Sequence, residues 1–174
     1  TEWYSTGIDR LQSKGTQFTI ENLENRVVVE TREFLTTNKL SSGFDNAFRY
    51  CIDASGNLTL TQTVVPAGDM PAWLPRIGST WLLDLSLNQV QWYGRGPQEN
   101  YPDRKSGYPV GQYASTVTEM AEPYLIPQDN GLRTDVRWVK MVDVAGKGLE
   151  FSGDALFNFN ASPYSIENLT KALY

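Results

Sequence analysis

The stretch WYGRGPQENYPDRKSG, residues 92–107, gathers many of the side chains in this sequence that could do chemistry. Glu99 and Asp103 stand four residues apart, a spacing at which a loop can bring two carboxylates together. Paired carboxylates can divide the labour of hydrolysis, one as general acid and one as nucleophile or base. A general acid, however, needs a raised pKa, and Arg95 and Arg104 would pull both carboxylates the other way. The composition suits a self-satisfying network better. Glu99 and Asp103 accept hydrogen bonds, Arg95 and Arg104 clamp carboxylates, and Asn100 bridges backbone groups. Tyr101 adds a flat face with a polar tip. Gly94 and Gly96 are expected to supply backbone angles closed to other residues, and Pro97 to stiffen the exit.

Little chemistry is on offer elsewhere. Histidine is absent from the 174 residues, which removes Ser-His-Asp and Cys-His catalysis and histidine-based metal sites. Cys51 is alone, so no intrachain disulfide forms, and its apolar setting FRYCID predicts a buried, inert thiol. No metal site is expected. The formal charge of −5, with no lysine or arginine run, argues against nucleic acid or anionic lipid as a partner. No apolar run is long enough for a membrane-spanning helix. Hydrophobic residues at 40% supply a core for a single globular domain over residues 1–174.

The elements that must position the stretch read as strands. Leu58, Leu60 and Val64 alternate with Thr59, Thr61 and Thr63, and the turn ASGN joins them to AFRYCID, predicting a hairpin over 47–65. In LRTDVRWVKMVD, Leu132, Val136, Trp138 and Val142 are expected on one face, with Arg133, Asp135 and Arg137 on the other. The turn AGKG then leads into LEFSG and ALFNFN, a second hairpin. Residues 26–35 and 77–87 are further strand candidates. Gly94 to Ala121 is the longest stretch without clear alternation, and a connection that long is usually functional. Only the tail looks helical, with Ser165 capping IENLTKAL. Trp81, Trp92 and Trp138 fall on strand patterns and are assigned to the core, whereas Trp73, between prolines in MPAWLP, is the exposed aromatic. The fold class is therefore all-β, a large antiparallel β-sandwich with one short C-terminal helix.

Five segments carry a resemblance: PRIG (75–78), WYGRGPQENYPDRKSG (92–107), VGQY (110–113), PYLIPQDNGLRTDVRWV (123–139) and LFNFNASPYS (156–165). Together they are similar to the C-terminal region of bacterial β-galactosidases of glycoside hydrolase family 2. The resemblance implies the supersandwich shared with galactose mutarotases, truncated here at both ends. It implies a parent that hydrolyses terminal β-D-galactosides through two glutamates on a separate (β/α)₈ barrel, whose motifs match no position here. No catalytic residue is therefore expected in this chain. Neither is a cofactor, although the parent family often uses magnesium and sodium in the barrel domain.

The expected partners are the catalytic barrel of the same parent chain, the galactoside indirectly, and a second copy through open strand edges. The loop residues Gly94, Arg95, Gly96, Pro97, Glu99, Asn100, Tyr101, Asp103 and Arg104 are expected either to fix the loop or to frame the substrate rim or a domain contact. Trp73 is expected at a domain contact or a ligand edge, and a stand-alone carbohydrate-binding module, with stacking aromatics in a groove, is the alternative. A mutarotase-like enzyme is disfavoured by the missing histidine. The bacterial compartment, cytoplasmic or periplasmic, stays open.

Overall fold

The structure is a computed structural model describing residues 2–37 and 42–172. It has eight strands among those residues, arranged as two four-stranded antiparallel sheets. This all-β, two-sheet organisation is the expected class. The described residues divide into two compact units between Ser79 and Thr80.

The first unit holds the meander β1 (Gln12–Leu23), β2 (Arg26–Thr36), β3 (Gly43–Asp53) and β4 (Leu58–Ala67), in that spatial order. The expected hairpin over 47–65 is the β3–β4 pair, whose turn is closed by Asp53 accepting from the Ser55 and Asn57 N–H groups. Val28 and Phe44 are buried here. Strand β1 is an exposed edge, and its bulge between Lys14 and Thr16 places Gly15 at φ 63. Such a bulge interrupts the regular ladder, a common way of blunting an edge. The expectation for Cys51 is corrected: on a partly open strand it is only half-buried. A short helix α1 (Glu2–Thr6) and a 3₁₀ turn (Ile8–Arg10) precede the sheet, so helix is not confined to the tail.

The second unit holds β5 (Gln89–Arg95), β6 (Val110–Thr116), β7 (Arg133–Val142) and β8 (Gly148–Phe159), ordered β6-β5-β7-β8. Alternation along β5 turns Val90, Trp92 and Gly94 inward, against Val136, Val139 and Met141 of β7 and Met120. Ser165 accepts from the Asn168 N–H and caps the helix α2 (Ile166–Lys171), as the sequence predicts.

Three sequence expectations are overturned. Residues 77–87 form no strand; Leu82 and Leu85 project into water, and the Asp84 carboxylate accepts from the Ser86 N–H in a turn. Pro75 and Gly78 break the run before a ladder can start. Trp81 accordingly lies outside the strands, 40% exposed, its edge on Phe151. In β7, register shifts on both sides of Val136 change the phase of the strand, with Asp135 at φ 52. Val136, Val139 and Met141 therefore face the core, while Trp138 is half-buried on the opposite face beneath the Lys140 ammonium. A period-2 reading assumes an unbroken pleat, and this strand breaks it.

Candidate functional site

The long connection expected over residues 94–121 is corrected: β6 (Val110–Thr116) interrupts it, and the loop between β5 and β6 is residues 96–109. Gly94 and Gly96 flank its entry, but neither has positive φ. Close approach is the reason for glycine. A Cβ on Gly94 would lie 2.7 Å from Val136 Cγ2, and one on Gly96 2.8 Å from the Tyr113 ring. The Gly96–Pro97 peptide is cis. Trp92 sits under the turn and donates its indole N–H to the Arg95 carbonyl at 3.0 Å.

Glu99 is the hub. The residue is 4% exposed, yet both carboxylate oxygens are occupied. Oε1 accepts from Arg104 Nη2 at 2.7 Å and from the Tyr124 hydroxyl. Oε2 accepts from the Tyr101 hydroxyl at 3.1 Å and the Gly131 N–H at 2.9 Å. Burial pushes this carboxyl up, but the Gly131, Tyr124, Arg104 and Tyr101 donors together outweigh it and hold Glu99 below its ordinary value. In turn, burial and the Glu99 charge push the Tyr101 phenol well up. Arg104 also stacks over Tyr101, 5.4 Å from the ring centroid.

Asn100, fully buried, makes four hydrogen bonds. Its N–H donates to the Leu132 carbonyl at 2.8 Å and Nδ2 to the Gln98 carbonyl at 3.0 Å. Its Oδ1 accepts from the Thr134 N–H at 3.0 Å and the Thr134 hydroxyl at 2.6 Å. These bonds stitch the loop to β7.

A second node lies at Asp135. Its carboxylate takes Lys105 Nζ at 2.8 Å and Arg95 Nε at 2.5 Å, and these two cations hold it below its ordinary pKa. Arg95 also donates to the Lys105 and Tyr108 carbonyls at 3.1 and 2.8 Å. The αL angle of Asp135 is tolerable for aspartate and is pinned by this pairing.

The sequence-predicted residues thus come together, with one exception. Asp103 is exposed and makes no ion pair among the described residues; the carboxylate that clamps Arg95 is Asp135. The expected clamp comes from a neighbouring strand, which local spacing cannot reveal. Sequence reasoning also missed Tyr124, Gly131 and Thr134. The Asn130–Gly131 dipeptide was an available signal, since Gly131 takes φ 84 to aim its N–H at Glu99. Arg133, buried with its ring contact on Trp92 at 5.4 Å, donates to the Gly131 carbonyl at 2.9 Å and is depressed by burial. Its Nε is buried without a hydrogen-bond partner.

Of the stretch 94–100 only Pro97 and Gln98 are exposed; Gly94, Gly96, Glu99 and Asn100 are closed to any partner. Trp73, in the first unit, is 61% exposed and packs edge-on against Trp3 with centroids 4.5 Å apart. It lines an open apolar groove of about 470 Å³ with Phe44, Val64, Pro66, Pro71 and Ile77. Among the described residues no cluster of three or more Cys, Asp or Glu side chains could hold a metal ion.

The family model described as "Beta galactosidase small chain" matches residues 1–174. A β-galactosidase of Vibrio cholerae is 33% identical over 172 residues, covering 98% of this chain and 16% of that protein. One from Psychromonas ingrahamii is 34% identical over 174 residues, covering 99% of this chain and 16% of that protein. One from Priestia megaterium is 32% identical over 154 residues, covering 86% and 15% respectively. The chain therefore spans about 16% of the length of the curated relatives it matches. A full-length family match, carried by sequences that share this loop-bearing region, settles the affiliation: the chain belongs to the β-galactosidase small-chain family.

Proposed function

We propose that this chain is the accessory part of a bacterial β-galactosidase, shaping and buttressing a catalytic barrel carried by the same polypeptide and performing no bond cleavage itself. The observation that carries this reading is the state of Glu99. A general acid must hold a proton near neutral pH, and a nucleophile must have a free face. Glu99 has neither property, because four donors saturate it and keep it ionised. The nearest carboxylate by sequence, Asp103, stands in water, and Asp135 is neutralised by Lys105 and Arg95. What the network supports is fixation: it locks residues 96–109 and 122–131 in one shape, so that Pro97, Gln98 and Arg104 are presented in fixed positions to whatever they face. Framing the substrate rim is the role that suits this presentation.

The test is the full-length polypeptide that contains this chain. It should hydrolyse β-galactosides with retention of configuration, and Gln98→Ala, at an exposed position of the loop, should alter KM by a few-fold while leaving the stability of the chain unchanged. A full-length polypeptide inactive on every β-galactoside tried would refute the proposal.

A further inference from the structure

We infer that the tip Tyr124–Ile126 of the strap 122–131 is a docking contact for the remainder of the parent polypeptide, inserting against an apolar surface there. The inference rests on the accessory role proposed above. Leu125 is 88% exposed and Ile126 57%, next to a 42% exposed Tyr124. Three consecutive large apolar residues form a contiguous patch, unlike the single exposed leucines that any surface carries.

The strap is held on both sides of this tip. The Tyr124 hydroxyl and the Gly131 N–H both end on Glu99. Asn130 Oδ1 accepts from the Glu122 N–H at 2.9 Å, and Asn130 Nδ2 donates to the Gln128 carbonyl at 2.9 Å. Asn160 reaches Asp129 at 3.3 Å, and Pro123 and Pro127 restrict the backbone on either side. A loop that merely connects 121 to 132 has no use for a buried carboxylate that fixes an apolar tip in water. Fixing it beforehand lowers the ordering cost of docking.

The relatives show where the occupant comes from: they are β-galactosidases in which the matched region is about 16% of the length. A three-residue tip is far smaller than the roughly 1,200 Å² of a stable interface between separate molecules. Contact within one polypeptide needs no such area, because the linkage supplies a high effective concentration. The rest of the same polypeptide is therefore the occupant, in preference to a second copy of this chain.

Hydrogen exchange decides the matter. The Leu125 and Ile126 N–H groups have no hydrogen bond among the described residues, so in the 174-residue chain they should exchange as in a free peptide. In the full-length polypeptide they should slow by about 100-fold or more. Equal rates in the two proteins overturn the inference, as does protection in the chain alone that grows with its concentration, which marks a second copy as occupant. Leu125→Asp should leave the melting temperature of the chain unchanged and lower that of the full-length protein; a fall in both overturns the inference too. Exchange is read without substrate, so a polypeptide that cleaves no galactoside would refute the accessory role and leave the docking result standing on its own.

Discussion

Glu99→Gln exposes what the hub contributes. The substitution keeps the shape, removes the charge and turns one acceptor oxygen into an NH₂ donor. Bonds to a charged group contribute roughly 1.5–3 kcal/mol against roughly 0.5–1.5 for neutral ones, so the Gly131 and Tyr101 bonds together weaken by about 2 kcal/mol. Each oxygen serves two donors, so two then face the NH₂ group; the phenol of the pair can turn and accept, and the remaining donor without an acceptor costs about 1–3 kcal/mol. Arg104 is half exposed, so its share is screened and adds little. Relief of carboxylate desolvation offsets part of this, leaving a loss of about 3 kcal/mol, or about 6–12 °C in melting temperature for a chain of this size. Urea unfolding followed by tryptophan fluorescence measures it, because Trp92 lies in the adjoining core. The pH dependence has a fixed sign. The folded pKa of Glu99 is depressed, so its stabilisation is present above the ordinary carboxylate value of about 4.3 and lost as pH falls through the lower folded value. Wild type and variant should therefore converge in acid. A difference below about 0.5 kcal/mol at pH 7, or one unchanged down to pH 2, refutes the reasoning.

Three further outcomes follow from the same geometry. Gly94→Ala forces Val136 backbone and side chain aside and should cost about 1–3 kcal/mol in denaturant melts, a cost that Gly107→Ala, with open space around it, should not share. Asn100→Ala strips acceptors from the Thr134 N–H and hydroxyl and should cost about 2–4 kcal/mol, with faster exchange of the Thr134 amide as the local readout. Asp135→Asn removes the charge facing Lys105 and Arg95, both partly exposed, so it should cost only about 1 kcal/mol at pH 7. That cost should vanish as pH drops below the depressed Asp135 pKa, which acid titration of the unfolding midpoint would show.

Legibility from sequence depended on how local the physics was. The hairpins around Ser55 and Gly146, the capped helix after Ser165 and the buried Trp92 each follow from nearest-neighbour chemistry, and each was readable. The grouping of Glu99, Tyr101 and Arg104 was readable too, because the three lie within one loop. What stayed hidden came from elsewhere in the chain. Arg95 finds its carboxylate in Asp135, 40 residues away and outside the loop. Tyr124 and Gly131 complete the Glu99 ring from a strap that showed no alternation to read. The face of β7 was misassigned because its bulges near Val136 leave no composition signal except an aspartate able to take positive φ. Gly94 and Gly96 were correctly singled out for the wrong cause: neighbouring side chains, not backbone angles, forbid a Cβ there.

The central claim is that the carboxylates of this chain hold loops and cleave nothing. Its most direct test is release of galactose by the purified 174-residue chain from an activated β-galactoside, with Glu99→Gln run alongside at a temperature where both stay folded. The account predicts no turnover above the buffer rate for either protein. Turnover by the wild-type chain that Glu99→Gln abolishes would contradict it.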